Sequence, residues 1–440
     1  MKRTISILSL YLSALMLFSC LGPTENQQKP WCLIFYMEGG ERDYFEQAYI
    51  RQAAAACWDS TSQGWQQKTA MTVLYNPSPS WQEKKEWKGT HRFYTRNGQL
   101  VKDTVFHDEF ISSNDTTLGD YIRWARQKYP DHRYVLIPVG HGVGWYPISE
   151  PPYSVEHLRD TTLPWHPFIT TAQLREAIAM SGGRIEMIYF NMCMMNQVES
   201  LAEWMESARY IMATNNPTPD VGSDYGMLVK TLQKEGDFKE NMRQYLDWNF
   251  SIWKEFANGP FTPDLTLTDM DAFAQVLPAW KAFTNELLQS LDDTVRCTDA
   301  PARFGDSYEE GYIQAFRDSW TRYGFTFATD MRDYAYKAVS HTGNMDLIPL
   351  LRQVDEALAN CCVFRRQHDD GNTLSFAITT PINIWDYTEH GDTYRNLRFC
   401  QETGWNQWIE KACQQMMPDA AKNKMVIRNG APTGTCSANE

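Results

Sequence analysis

Positive charge is scarce. The 440 residues include 41 Lys and Arg against 54 Asp and Glu, a formal net charge of −13. Holding a phosphate backbone takes a basic surface, so this balance excludes a nucleic-acid partner. Long hydrophobic runs are missing too. The one extended apolar stretch, Ile5 to Phe18, has 14 residues, short of the ~20 that a membrane-crossing helix needs. Metal-binding spacings are absent. No Cys-x-x-Cys pair and no His-x-x-x-His occurs, which argues against a structural zinc.

What is present begins with a targeting pattern. Lys2 and Arg3 precede the Ile5 to Phe18 stretch, as in an export signal. The stretch ends in Leu17-Phe18-Ser19-Cys20, which resembles a bacterial lipobox. Cleavage there would leave Cys20 as a lipidated N-terminus; an ordinary secretory signal is the alternative. Residues 21–30 are polar and read as a tether. The expected location is the bacterial cell envelope, lipid-anchored at the outer-membrane or periplasmic face or exposed at the surface. Ten cysteines are present. An oxidising compartment permits disulfides, but spacing does not give a pairing. Cys32 sits inside an apolar run and reads as a buried thiol. The 16 tryptophans fit either core packing or sugar-stacking platforms.

Strands and helices alternate to about residue 235. Trp31 to Met37 is a continuous apolar run and reads as a buried strand. Tyr44 to Trp58 reads as a helix and Thr69 to Tyr75 as a strand. Trp87 to Tyr94 reads as a more exposed arm turning at Asn97-Gly98. A helix starts at Asn114-Asp115, and a strand follows from Tyr134. Residues 146–168 hold five prolines and read as a long loop. Thr170 or Thr171 caps a helix to Met180, then come a strand from Ile185, a helix from Asn196 to Ser207, a strand from Arg209 to Ala213, and a loop from Thr214 to Gly226. Such alternation implies a mostly parallel sheet with helices on both faces. Farther on, Asn241 to Phe256, Phe273 to Leu291, Tyr323 to His341, Leu347 to Cys361 and Trp405 to Met416 read as helices, and Gly371 to Thr380 as a strand. The expected organisation is signal (1–20), tether (21–30), catalytic domain (31–256), an α+β region packed on it (257–423) and a loose tail (424–440).

Two strand ends carry reactive side chains: Tyr134-Val-Leu-Ile-Pro-Val-Gly-His141-Gly142 and Ile185-Glu-Met-Ile-Tyr-Phe-Asn191-Met-Cys193. In open α/β sheets functional groups gather beyond the carboxyl ends of strands. A thiol attacks well as thiolate, so a catalytic cysteine wants a nearby imidazole, which can later protonate the leaving amine. Gly142 has no side chain, so its N–H, with that of Cys193, can form an oxyanion hole. Residue types and spacing alone leave a packed histidine and a buried cysteine as open alternatives.

At His141-Gly-Val-Gly-Trp145, and at Cys193 with Met195 and Glu199 following, the chain resembles the clostripain-like cysteine peptidases of the caspase-type clan. The similarity extends to Trp31–Glu38, Asp115–Trp124, Thr171–Ile178, Leu374–Phe376 and Gly404-Trp405. It implies a caspase-like three-layer α/β sandwich with a C-terminal α+β extension. It also implies an endopeptidase with His141 as acid/base, Cys193 as nucleophile, Gly142 at the oxyanion, and polypeptide substrates. The family prefers Arg or Lys before the scissile bond, using an acid two residues before the Cys and another after the next strand. Here the first position is the neutral Asn191, and the later loop offers Asp220 and Asp224, which alternatively cap the following turn or helix. Family members cut themselves between His and Cys; Arg159 is the only basic residue in the long loop. No cofactor is expected. Calcium dependence occurs in the family, which keeps calcium as the open alternative although no Asp-x-Asp-x-Asp-Gly loop is present. The competing expectation is a catalytically altered surface lipoprotein that binds peptides or glycans; a third is hydrolysis of non-peptide acyl groups.

Overall fold

The computed structural model describes residues 29–38, 43–61, 64–67, 69–77, 87–107, 114–140, 142, 144–145, 169–216, 218–219, 221–256, 263–290, 329–367, 375–379 and 394–416. The first half of the chain runs β1 (Trp31–Glu38), α1 (Asp43–Ala56), β2 (Trp58–Thr61), β3 (Gly64–Gln67), β4 (Thr69–Asn76), β5 (Thr90–Arg96), β6 (Gln99–Phe106), α2 (Asp115–Lys128) and β7 (Arg133–Val139). Then come α3 (Thr171–Met180), β8 (Ile185–Tyr189), α4 (Val198–Glu203), β9 (Ala208–Ala213), α5 (Tyr225–Leu232), α6 (Phe238–Phe256), β10 (Asp264–Asp269), α7 (Met270–Phe273) and α8 (Val276–Gln289). The last are β11 (Thr329–Asp330), α9 (Met331–Thr342), α10 (Leu347–Cys361), β12 (Cys362–Gln367), β13 (Ala377–Ile378), α11 (Arg398–Thr403) and α12 (Trp405–Met416).

Nine strands form one sheet in the order β12-β10-β9-β8-β7-β1-β4-β5-β6. The central five, β9 through β4, are parallel, and an antiparallel pair extends each edge. Both faces are covered, which is why the inner strands read as unbroken apolar runs. In β1, Cys32, Ile34 and Tyr36 enter the core that α2, α3 and most of the C-terminal helices cover. Leu33, Phe35 and Met37 enter the opposite core, under α1, α5 and α6. The result is a three-layer α/β sandwich.

Local signals place several boundaries. Asn114 caps α2 by accepting the Thr116 and Thr117 N–H groups. Thr170, not Thr171, caps α3, in a capping box with Gln173. Asn97 (φ 52°) and Gly98 (φ 70°) make the left-handed turn between β5 and β6. Elsewhere the structure differs from expectation. α1 stops at Ala56 because Trp58 opens the β2–β3 hairpin. The helix expected over 196–207 is only α4, since the Asn196 N–H is taken by the Thr214 carbonyl and the chain turns back at Trp204 toward β9. The helix expected over 273–291 is two, α7 and α8. α9 begins at Met331, capped by Asp330; residues 323–328 lie outside the described set. Of the strand expected over 371–380, Ala377–Ile378 is paired, with Thr329–Asp330.

The C-terminal half does more than pack against the sheet. β10 pairs with β9, and β12 pairs with β10, so both join it. The expected signal, tether before residue 29, long loop at 146–168 and tail at 424–440 lie outside the described residues.

Candidate active site

The register of two neighbouring strands sets the site. β7 and β8 pair Val135 with Met187 and Leu136 with Ile188. Beyond the strand proper, Val139 still bridges Asn191, and the Asn191 N–H donates to the Pro138 carbonyl at 3.0 Å. Past that bridge, two more residues on one strand reach position 141 and two on the other reach Cys193. The Cys193 thiol is free and half-buried. His141 lies outside the described residues, but Gly140 and Gly142 on either side do not.

Gly142 packs directly on the cysteine segment. A β-carbon there would lie 2.5 Å from the Cys193 carbonyl oxygen, 2.8 Å from Met195 Sδ and 2.9 Å from Met192 Cβ. Two of those atoms cannot swing away, so only glycine fits. Gly144, at φ 77°, is likewise pressed on the Gln197 side chain, 2.0 Å from where its β-carbon would be.

After Cys193 the chain reverses sharply. Met194 has φ 58°, a left-handed conformation that costs a non-glycine residue roughly 1–3 kcal/mol. The loop that follows β9 holds this turn. The Met194 N–H donates to the Asn216 carbonyl at 3.2 Å, and that of Asn196 to Thr214 at 2.9 Å. The Thr218 N–H donates to Cys193 Sγ at 3.3 Å. An N–H aimed at sulfur counts most when the sulfur is a thiolate, because hydrogen bonds to charged acceptors are the stronger ones.

The histidine-bearing segment is held from the other side. The Trp145 N–H donates to Gln197 Oε1 at 3.3 Å, and its indole Nε1 to Thr379 Oγ1 at 2.9 Å. Its ring packs edge-on against Tyr394 at 4.9 Å. Glu199, fully buried, accepts the Thr379 N–H at 2.7 Å and the Tyr394 hydroxyl at 2.9 Å; burial raises its pKa. The Trp405 indole donates to the Thr379 carbonyl at 2.7 Å. Trp145 and Glu199 were visible in the motifs. Thr379 was not: it lies 234 residues from Trp145 along the chain, and no local pattern marks it.

Of the residues expected to shape the substrate pocket, Asn191 meets the segment around Asp224 through its neighbours Ser223 and Tyr225. Asn191 is fully buried, donates from Nδ2 to the Tyr225 hydroxyl at 2.6 Å, and accepts from Ser223 Oγ at 3.2 Å. Asp224 caps α5, accepting the Met227 N–H at 2.8 Å on one oxygen and Trp248 Nε1 at 3.0 Å on the other. Of the two roles open to Asp224, the cap is the one its contacts fill. Asp220, Arg159 and Cys20 lie outside the described residues.

A mostly parallel α/β sheet with a free thiol just past the carboxyl end of an inner strand is an arrangement suited to thiol-dependent chemistry. The sequence matches the clostripain family, peptidase C11, over residues 92–411. The chain belongs to that family and is a cysteine peptidase. Its fold is that of solved members. It is similar to a secreted C11 cysteine protease from Bacteroides thetaiotaomicron held by an irreversible peptide inhibitor, with 14% identity, 86% of this chain and 99% of that chain covered, and a TM-score of 0.57. It is also similar to an inactive zymogen C11 protease from Parabacteroides distasonis, with 13% identity, 87% and 99% coverage, and a TM-score of 0.56. No curated protein matches by sequence.

Proposed function

We propose an exported, lipid-anchored cysteine endopeptidase that works through a His141–Cys193 dyad. Cys193 Sγ attacks the peptide carbonyl carbon. The developing oxyanion is held by the N–H groups of Cys193 and Gly142, each such donor being worth about 2.7–4 kcal/mol in the transition state. His141 passes a proton to the leaving amine, and the thioester acyl-enzyme is then cleaved by water that His141 deprotonates. The observation that carries this reading is the close fit of Gly142 on the Cys193 carbonyl, which ties the backbone beside His141 to the nucleophile.

For the residue before the scissile bond we propose Arg or Lys, held by Asp220. Asn191 is neutral and Asp224 is already engaged twice, so Asp220 is the remaining carboxylate of that loop. One acid attracts a cation less than two, so the preference is expected to be weaker than in a two-acid pocket. We further propose maturation by cleavage after Arg159, anchoring through Cys20, and no need for a cofactor; a calcium chelator should then leave the rate unchanged. The test is a fluorogenic panel varying the residue before the scissile bond, run with wild type and Cys193→Ala. Turnover of Arg and Lys members by wild type alone is expected. Absence of turnover with every member, together with no labelling by an acyloxymethyl ketone, would instead indicate a peptide- or glycan-binding lipoprotein, and ester hydrolysis without amide hydrolysis a different acyl substrate.

A further inference from the structure

Asp264 opens β10, is fully buried, and has no part in the chemistry above. Its carboxylate is filled by the loop after β9. Oδ1 accepts the Asn215 N–H at 3.1 Å and the Asn216 N–H at 2.9 Å; Oδ2 accepts the Asn215 N–H at 2.9 Å and Asn215 Nδ2 at 3.2 Å. The Asn215 side chain then ties in two further segments. Its Oδ1 accepts Asn196 Nδ2 at 3.2 Å and the Ala377 N–H at 3.1 Å, and its Nδ2 also meets the Ser375 carbonyl at 3.2 Å. The same loop supplies the Asn216 carbonyl to Met194 and the Thr218 N–H to Cys193 Sγ. One carboxylate thus lies two links from the nucleophile.

We propose that Asp264 is a positioning residue for the cysteine: in its ionised form it clamps the 214–218 loop so that the Thr218 N–H stays aimed at Sγ. The inference rests on the peptidase reading of Cys193. Every group that touches the carboxylate is a donor, so the arrangement suits the anion. Protonation would put an O–H where an N–H already points, and the clamp would loosen. Burial pushes the Asp264 pKa up to about 6, against the pull of the donors and of Arg365. The charged neighbours are few. Arg365, on β12, donates to Thr266 Oγ1 at 2.8 Å and spreads its field over Asp264 and also over Asp330, the buried cap of α9. From the 214–216 loop only neutral groups face the carboxylate. The clamp is therefore closed at neutral pH and opens in mild acid.

The experiment compares wild type with Asp264→Asn, which keeps the shape but turns one acceptor into a donor. Three quantities are read from pH 4.5 to 8: kcat, KM and the rate of Cys193 alkylation by iodoacetamide. Loss of hydrogen bonds to a charged acceptor predicts a fall of roughly tenfold or more in kcat at pH 7, with KM little changed. Cys193 alkylation should slow in parallel, and a titration step near pH 6 present in wild type should be missing. A residue that merely stabilised the fold would lower the melting temperature and leave the pH profile intact. Equal kcat and superimposable profiles in the two proteins overturn the clamp. Should Asp264→Asn fail to fold, hydrogen exchange of wild type decides. After correction for intrinsic rates, the amides of Asn215, Asn216 and Thr218 should lose protection between pH 7 and pH 5, and unchanged protection refutes the proposal. A wild type with neither turnover nor Cys193 alkylation would sink the peptidase reading itself, a result distinct from an active wild type indifferent to Asp264.

Discussion

Gly142 is pressed against backbone right beside the thiol. In Gly142→Ala the new methyl would meet the Cys193 carbonyl oxygen at 2.5 Å, and backbone has to move. Overpacking of this kind costs typically ~1–3 kcal/mol, and a displacement near 1 Å at a reacting centre about 10²-fold in rate. Thermal melting and kcat on one fluorogenic substrate check both numbers. The two loop aspartates are expected to separate cleanly. Asp224→Ala removes a helix cap and should cost ~1 kcal/mol of stability with little effect on the Arg-to-Ala preference. Asp220→Ala should do the reverse: kcat/KM for Arg substrates falls while the melting temperature holds. If Asp224→Ala is the variant that loses the preference, the assignment is inverted. At this scale much was legible. Gly142, Trp145, Cys193 and Glu199, whose packing the structure describes, stood out because each follows an apolar run or sits at fixed spacing. Thr379, Gln197 and Asp264 did not. Their work is to accept or donate across long sequence separations, and composition carries no trace of that.

Among the elements, the parallel core was readable because both of its faces are covered, which forces long apolar runs. β10 and α5 escaped. β10 reads Asp-Leu-Thr-Leu-Thr-Asp, four of its six residues polar, yet Leu265, Thr266, Leu267 and Thr268 are all fully buried. Its backbone is paired with β9 on one side and β12 on the other, and the Thr266 hydroxyl accepts from Arg365 Nε, facts no single strand reveals. α5 follows at once on the cap Asp224 and begins at Tyr225, inside the end of the 214–226 stretch whose prolines and glycines suggested loop. The strap 375–379, with β13 at its centre, is the element that locks the histidine segment. Trp145→Phe keeps the ring packing on Tyr394 but deletes the donor to Thr379 Oγ1. The expected cost is about 1–3 kcal/mol of stability, from an acceptor left buried without its partner, together with a fall in kcat larger than the change in KM. Denaturant melts beside steady-state kinetics decide it. A stability loss with kcat untouched would show that the strap is only structural.

Taken as a whole, the molecule buries several carboxylates, and this gives its stability a definite pH dependence. Burial raises the pKa values of Glu199, Asp264 and Asp330 above those of the unfolded chain. Folded protein then holds more protons than unfolded, so the contribution to stability is full below the unfolded value and is lost as pH rises through the folded one. For Asp264 the window runs from 3.8 to about 6, or about 3 kcal/mol at ~1.36 kcal/mol per pKa unit. Asp264→Asn should flatten the wild-type curve of unfolding free energy across that window; parallel curves would contradict the assignment. The clamp's charge is thus retained at neutral pH against the stability of the fold. The joining of β10 and β12 to the sheet belongs to this scale as well. A break at 256–257 is what the change in local pattern suggests, yet antiparallel pairing to β9 carries the sheet across it, and pairing between distant segments is not written in either of them.

The central claim is that imidazole 141 activates sulfur 193. It is tested most directly by the rate of iodoacetamide alkylation at pH 6, read residue by residue with mass spectrometry, in wild type and His141→Ala. Pairing with an imidazolium predicts a rate at Cys193 about 10²-fold higher in wild type than in His141→Ala, with the rate at the half-buried Cys362 the same in both proteins. Equal rates at Cys193 in the two proteins would contradict the account.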